Sequence, residues 1–286
     1  MTGWLTFSSF RQLGIAQGAD DWFKTAMQLL LLTVLTMIAF AANSVLNRMG
    51  LAGGLIDPTG FALVRVGSGA GMLVLLVALR QRGLSGFFGP AKPWAVIGLA
   101  AYMLGFSFAY VTLDAGTGAL ILFGGVQITM FAGAVLSGRT PVLFQWLGAG
   151  IAFGGLAYLL APSAGAPDAI SAGLMGIAAV GWGIYSLIGQ KTSDPLGATA
   201  ANFVLALPFA FAGLLLAPAL QFTFSGVLLA VLSGAVTSAL GYALWYRVLP
   251  LLATATAAVA QLSVPVIAAL GGALLLGEPL TLEFVI

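Results

Sequence analysis

Long apolar runs separated by short polar punctuation occupy almost the whole chain. Runs of the roughly 20 residues that a helix needs to cross a hydrocarbon core of about 30 Å fall at 26–47, 58–79, 93–113, 117–136, 141–161, 169–189, 196–217, 224–247 and 251–276. Proline and aspartate mark their ends: Asp57-Pro58, Pro90 with Pro93, Pro141, Pro162 with Pro167, Asp194-Pro195, Pro218, Pro250 and Pro279. A residue without an N–H costs a helix least at these positions. The connections are short, so successive helices run antiparallel. After Gly277-Glu278-Pro279 another apolar stretch opens at 280–286, enough for about 10 Å of helix. The pattern predicts nine complete spans and a tenth that is truncated.

Composition turns this pattern into a class. Of 286 residues, 60% are hydrophobic and only 6% charged, against about 25% charged in an ordinary soluble domain. The mean hydropathy is +1.09, and the 39 glycines are a further mark of membrane helices. The expected fold class is an all-α polytopic membrane protein. Histidine and cysteine are both absent, which excludes disulfides, thiolate nucleophiles and imidazole- or thiolate-bound metals. No metal, no cofactor and no catalytic residue are expected. A net charge of +2 spread along the chain forms no nucleic-acid patch. No G-x-x-x-x-G-K-[ST] phosphate loop occurs, and Gly181-Trp182-Gly183 lies within a span, so no nucleotide partner is expected either.

Charge placement gives the orientation. With a cytoplasmic N-terminus, the inside segments hold Arg11, Lys24, Arg80, Arg82, Lys92, Arg139, Lys191 and Arg247, leaving only Arg48 and the intramembrane Arg65 elsewhere. This is the positive-inside bias of an inner (plasma) membrane protein, and a complete tenth helix would return the C-terminus to the cytoplasm. Residues 1–25 read as a cytoplasmic extension. Asp20 and Asp21 argue against a secretory signal, and Met27 is an alternative start. Trp4, Phe7, Phe10 and Leu13 form either an interfacial amphipathic turn or part of a disordered or added segment.

The two halves repeat each other. Asp57-Pro58-Thr59-Gly60 recurs as Asp194-Pro195-Leu196-Gly197, an offset of 137 that also carries Arg65 onto Asn202. Gly105 and Tyr110 match Gly241 and Tyr246 at 136, and Phe40, Asn43 and Ser44 face Trp182, Tyr185 and Ser186 at 142. The segment 133–139 matches 272–278 at 139. Five spans in the first unit, 26–161, turn the second, 169–286, upside down. Such inverted repeats build many secondary transporters, with substrate at the midplane between the halves.

The run Gly241-Tyr242-Ala243-Leu244-Trp245-Tyr246-Arg247-Val248-Leu249, then Pro265-Val266 and Leu276-Gly277-Glu278-Pro279-Leu280-Thr281, resembles the second half of an EamA-type member of the drug/metabolite transporter superfamily. Residues 43–48 and Pro58 followed by Arg65 resemble its first half. The resemblance implies ten helices in two inverted five-helix units, cytoplasmic termini, and export or exchange of small metabolites. The aromatic richness points, within that superfamily, to the aromatic-amino-acid exporter branch. The chain departs from the pattern by lacking most of helix 10 and by its first 25 residues.

Polar and aromatic side chains that share inward faces are the candidate substrate contacts. Helix 1 offers Phe40, Asn43, Ser44 and Asn47; helix 6 offers Trp182 and Tyr185; helix 3 offers Tyr102, Phe106 and Tyr110; helix 8 offers Ser238, Tyr242 and Trp245. Thr117, Gly124 and Gln127 stand on helix 4, with Thr254, Gln261 and Pro265 on helix 9. From these, Phe40, Asn43, Tyr102, Phe106, Gln127, Trp182, Tyr185, Tyr242 and Gln261 are assigned to substrate. Amides also join helices and single aromatics often only pack, so each assignment has a purely structural alternative. Trp94 and Trp146, near span ends, read as interfacial anchors. Gly124, Gly125 and Pro265 either weaken helices for gating or permit close packing. Arg65 is assigned mainly to structure.

Asp57, Asp114, Asp168, Asp194 and Glu278 all lie at span ends. The absence of a mid-span carboxylate points to facilitated diffusion or exchange rather than obligate proton coupling. The expected function is a secondary transporter, an exporter or facilitator of aromatic and other neutral amino acids or related small metabolites, working by alternating access. Its partners are the small-molecule substrate and membrane lipid, and its working unit is a monomer. A nucleoside or drug exporter is the rival within transport. A membrane-embedded lipid-metabolising enzyme is the rival outside it.

Overall fold

Each D-P-x-G motif builds a helix start. Asp57 accepts the Gly60 N–H at 2.8 Å and the Thr59 hydroxyl, while Asp194 accepts the Gly197 N–H at 3.3 Å. A side-chain oxygen satisfies an orphan N–H, and proline fills the first helical position, where no N–H is needed. Glycine three residues on lets the carboxylate close in on the N–H, since a Cβ there would crowd the Asp57 or Asp194 carboxylate as these caps stand. Asp168 and Thr223 cap two further helices in the same way, accepting from Ser171 and Gly226.

The computed structural model describes residues 19–81, 91–138, 142–159, 167–190, 192–216, 220–252 and 254–280. Its helices are α1 (Ala19–Ala52), α2 (Pro58–Gln81), α3 (Pro93–Ala109), α4 (Ala115–Leu136), α5 (Leu143–Leu159), α6 (Ala169–Gly189), α7 (Pro195–Gly213), α8 (Phe224–Leu251) and a broken α9, Thr254–Gln261 then Ser263–Leu276. Six are long and apolar enough to cross a membrane: α1 from Thr25, α2, α4, α6, α7 and α8. The molecule is an all-α, multi-pass membrane protein. Its outer surface is a belt of exposed Leu30, Leu31, Val34, Phe209, Leu274 and Leu275.

Three departures from the sequence pattern have local causes. Helix α1 begins at Ala19, inside the segment expected as an extension, because nothing between Ala19 and Met49 breaks a helix. Inside α8, residues Leu232–Leu240 wind as a π-helix, a widening common at functional sites. Helix α9 parts at Leu262 because Pro265 supplies no N–H to the carbonyl of Gln261. The expected segment 1–18, the rest of a tenth span at 281–286, and Arg11, Arg82, Arg139 and Lys191 lie outside the described residues.

Small residues set the closest helix contacts. A Cβ on Gly98 would stand 2.7 Å from the Gly181 carbonyl, and one on Gly105 2.7 Å from that of Leu174, so α3 and α6 touch backbone to backbone. A Cβ on Gly234 would collide with the Arg65 carbonyl, so α8 and α2 also touch backbone to backbone. Helix α3 packs on α6 and α8 on α1; α4 packs on α6 and α9 on α1; α2 crosses α8 and α7 crosses α3. These pairings map onto one another when α1, α2, α3 and α4 are exchanged with α6, α7, α8 and α9. The self-paired contacts α2–α7 and α4–α9 obey the same exchange.

Both ends of the bundle are tied. At one, Arg48 on α1 bonds Glu278 at 2.8 Å and Asp114 at 3.1 Å, and donates to the Tyr110 and Val111 carbonyls. Glu278 also accepts the Ala115 N–H at 2.9 Å, so α1, the α3–α4 turn and the end of α9 meet on one guanidinium. At the other, Arg80 holds Asp194 through two bonds of 2.9 Å. That guanidinium keeps the Asp194 carboxyl below its ordinary range.

Candidate functional site

The inward faces of α1, α3, α4, α6 and α8 enclose a cavity lined by Phe40, Asn43, Tyr102, Phe106, Leu122, Phe123, Trp182 and Tyr242. About 10 Å³ is left between them, room for one water. Counting along the helices, Asn43 lies nine residues in from the end of α1 and Arg65 seven from the start of α2, roughly 10–14 Å into the membrane at 1.5 Å per residue. The cavity therefore sits near the midplane.

Its walls are ring against ring. The Trp182 indole stands 4.6 Å from the Tyr242 ring and 5.0 Å from Tyr102, and Phe40 meets Trp182 edge-on at 5.8 Å. These separations fall in the favourable range for tilted and T-shaped pairs. The α3 stripe continues outward, with Tyr102–Phe106 at 5.2 Å and Phe106–Tyr110 at 4.7 Å.

Behind the rings runs a buried polar network. Asn43 Oδ1 accepts from Ser233 at 2.6 Å and Thr237 at 3.2 Å, and Asn47 donates to Ser233 at 3.0 Å. Arg65 is fully buried. Its Nε donates to Ser238 at 3.1 Å, and its Nη2 donates to Tyr102 at 2.8 Å and Tyr242 at 3.1 Å. The π-helical segment of α8 supplies all three hydroxyls, Ser233, Thr237 and Ser238. Ser233 and Thr237, four apart, meet Asn43 on α1, and Ser238, five on from Ser233, meets Arg65 on α2.

Six of the nine side chains assigned to substrate from the sequence line this cavity: Phe40, Asn43, Tyr102, Phe106, Trp182 and Tyr242. The other three stand apart. Tyr185 stacks behind Trp182 at 5.4 Å and beneath Tyr246 at 5.5 Å. Gln127 is half-buried on α4, and buried Gln261 turns its amide back to the Ala257 carbonyl at 3.5 Å. Arg65 lies directly behind Tyr102, Phe106 and Tyr242. Gly125 faces Ala179 on α6, while a Cβ added at Gly124 would meet nothing within 4 Å, and α4 runs unbroken through both. Pro265 marks the break in α9.

Sequence reasoning missed Leu122, Phe123, Ser233 and Thr237. Phe123 is one turn from Gln127 on the same face of α4, and its apolar side chain carries no polar signal. The spacing of Ser233 and Thr237, four apart in an apolar span, was the available signal for the network.

Residues 170–286 match the model of the EamA-like transporter family. An uncharacterized protein of Pseudomonas aeruginosa (strain PAO1) is 49% identical over 258 residues, which cover 88% of this chain and 87% of that one. A protein of known crystal structure, 18% identical, superimposes with a TM-score of 0.65 over 87% of this chain and 90% of its own. That likeness speaks to the fold.

Proposed function

The chain belongs to the EamA-like transporter family, and on that premise we propose that the midplane cavity is the substrate site of a secondary transporter for aromatic and other neutral amino acids or related small metabolites. The observation that carries this reading is the composition of the wall. Six aromatic rings and one amide enclose the cavity, and none of the described acidic side chains, Asp57, Asp114, Asp168, Asp194 and Glu278, is among its lining residues. An aromatic side chain is matched by aromatic walls, and the few polar groups fix its orientation.

The cavity is too small for such a solute while both ends are tied, so transport requires the walls to part. Alternating access supplies that motion. In the orientation read from the cations, the Arg48–Glu278–Asp114 cluster is the extracytoplasmic closure. On the cytoplasmic side, Tyr246 seals against Gly189 and donates to the Tyr185 carbonyl at 3.4 Å. The helix pairings that interchange α1–α4 with α6–α9 support an inverted-repeat design, in which one half rocks against the other around a fixed site. No carboxylate at the cavity supports facilitated diffusion or exchange over obligate proton coupling. The placement in the plasma membrane, with a cytoplasmic N-terminus and a monomeric working unit, belongs to the same proposal.

The test is uptake of labelled phenylalanine, threonine and a nucleoside into proteoliposomes. Saturable phenylalanine uptake above empty liposomes is expected. Uptake of the nucleoside alone would favour the rival exporter, and no uptake of any solute would overturn the reading.

A further inference from the structure

Two buried N–H donors at this cavity, Arg65 Nη1 and Trp182 Nε1, have no acceptor among the described residues. Arg65 spends Nε and Nη2 on three hydroxyls, but Nη1, fully buried, bonds no protein atom. None of the ion pairs among the described residues includes it. Its guanidinium rests instead on aromatic faces, with Cζ 4.7 Å from the Phe106 centroid and 5.2 Å from that of Tyr102.

The phenols cannot absorb the surplus. The Tyr102 oxygen receives Arg65 Nη2 at 2.8 Å, Asn43 Nδ2 at 3.2 Å and the Tyr242 hydroxyl at 2.9 Å, whereas a hydroxyl has two lone pairs and one proton. When Tyr102 donates to Tyr242, the Tyr242 proton goes to Ser238, so these hydroxyls close on one another and offer Arg65 Nη1 no acceptor. The Trp182 Nε1–H is also buried without an acceptor. Asn43 Oδ1, the nearest amide acceptor, already receives Ser233 and Thr237. A buried cation and unspent N–H groups, with no anion beside them among the described residues, are a costly arrangement inside a membrane.

The geometry points to a carboxylate as the missing acceptor: we infer that Arg65 is the countercharge for the carboxylate of the transported solute. The inference rests on the reading of this cavity as the substrate site. The apolar part of the solute would lie among Phe40, Phe123 and Trp182. Its carboxylate would face the Tyr102 and Tyr242 hydroxyls, which Arg65 polarises, and would reach Nη1 when Phe106 turns aside. In this low-dielectric site the attraction is far stronger than in water, and a solute bearing only an ammonium group meets a like charge.

Four probes separate the possibilities: phenylalanine, 3-phenylpropionate, phenylalaninamide and phenethylamine. Their binding to the purified full chain is read from tryptophan fluorescence, and their competition with labelled phenylalanine is read in proteoliposomes. The two carboxylates are expected to bind at least tenfold more tightly than the two amines. Arg65→Lys should weaken binding while keeping that order, and Arg65→Gln should abolish the discrimination. Equal binding of acids and amines by the unaltered protein, or discrimination intact in folded Arg65→Gln, overturns the inference. If Arg65→Gln does not fold, the four-probe comparison on the native chain decides alone. Transport without carboxylate preference refutes this inference and leaves the transporter reading standing. Discriminating binding without transport does the reverse, and binding of none of the four overturns both.

Discussion

The α3–α6 crossing gives the sharpest mechanical prediction. A Cβ on Gly181 would stand 2.5 Å from the Gly98 carbonyl oxygen and 2.9 Å from the Tyr102 nitrogen, where ordinary contact begins at 3.4 Å. Both neighbours are backbone, so no side-chain rotation relieves the clash, and the helices must separate by about 0.9 Å. Overpacking of this kind costs about 1–3 kcal/mol. Gly176→Ala, on the same helix, is the control, because nothing lies within 4 Å of its added Cβ. Both substitutions gain the same helix propensity, about 0.5–1 kcal/mol, so that term cancels and the clash alone remains. At roughly 2 °C per kcal/mol for a chain of this size, Gly181→Ala should melt roughly 2–6 °C below Gly176→Ala in detergent. The displacement falls beside Trp182 and Tyr102, so the tryptophan emission of Gly181→Ala should shift as well. Equal melting temperatures for the two variants would refute the backbone contact and the packing argument built on it.

Two further predictions concern the ties at the ends. Ser107 on α3 is buried and donates to Asn47 at 3.3 Å, and the chain has no cysteine, so a single Ser107→Cys reports access to the buried network from the Arg48 end. Glu278→Gln, which removes an anion from Arg48 and weakens the bond to Ala115, should speed its modification by a thiol reagent severalfold, and an unchanged rate would remove that cluster from the gate. At the other end, Arg80 lowers the Asp194 carboxyl in the folded protein, so the stability it contributes is full above the ordinary carboxylate range and fades as pH falls through the lowered value. Asp194→Asn should therefore lower the melting temperature by a constant amount from pH 8 to about pH 5, within about 1 kcal/mol for an exposed pair and cap, and the difference should shrink below about pH 4; a gap that widens in acid would contradict the sign.

Much of the cavity was legible because helical spacing is a local property. Residues Tyr102, Phe106 and Tyr110 fall on one face at intervals of four whatever surrounds them, and the structure stacks them in that order. The D-P-x-G pairs were legible as a repeat and prove to be identical caps. Gln127 and Gln261 were chosen for polarity, and polarity does not say whether an amide faces a cavity or its own helix. Tyr185 shares the face of Trp182, yet lies one turn nearer the membrane surface and is covered by Tyr246.

The membrane class and the helix limits follow from how many apolar residues succeed one another and where prolines and aspartates interrupt them, and the family resemblance from the runs at 241–249 and 276–281. Only the tertiary structure decided the chemistry of the site. The π-helical turn at Leu232–Leu240 has no signal in the helical periodicity, whereas the break at Leu262 follows from Pro265. Arg65 changed most. As one cation in an apolar run it read as a structural residue, but with α2, α3 and α8 assembled its guanidinium stands behind the cavity wall with two phenols and no acid. Whether a buried charge is paired depends on residues 37 to 177 positions away, and no local pattern carries that information.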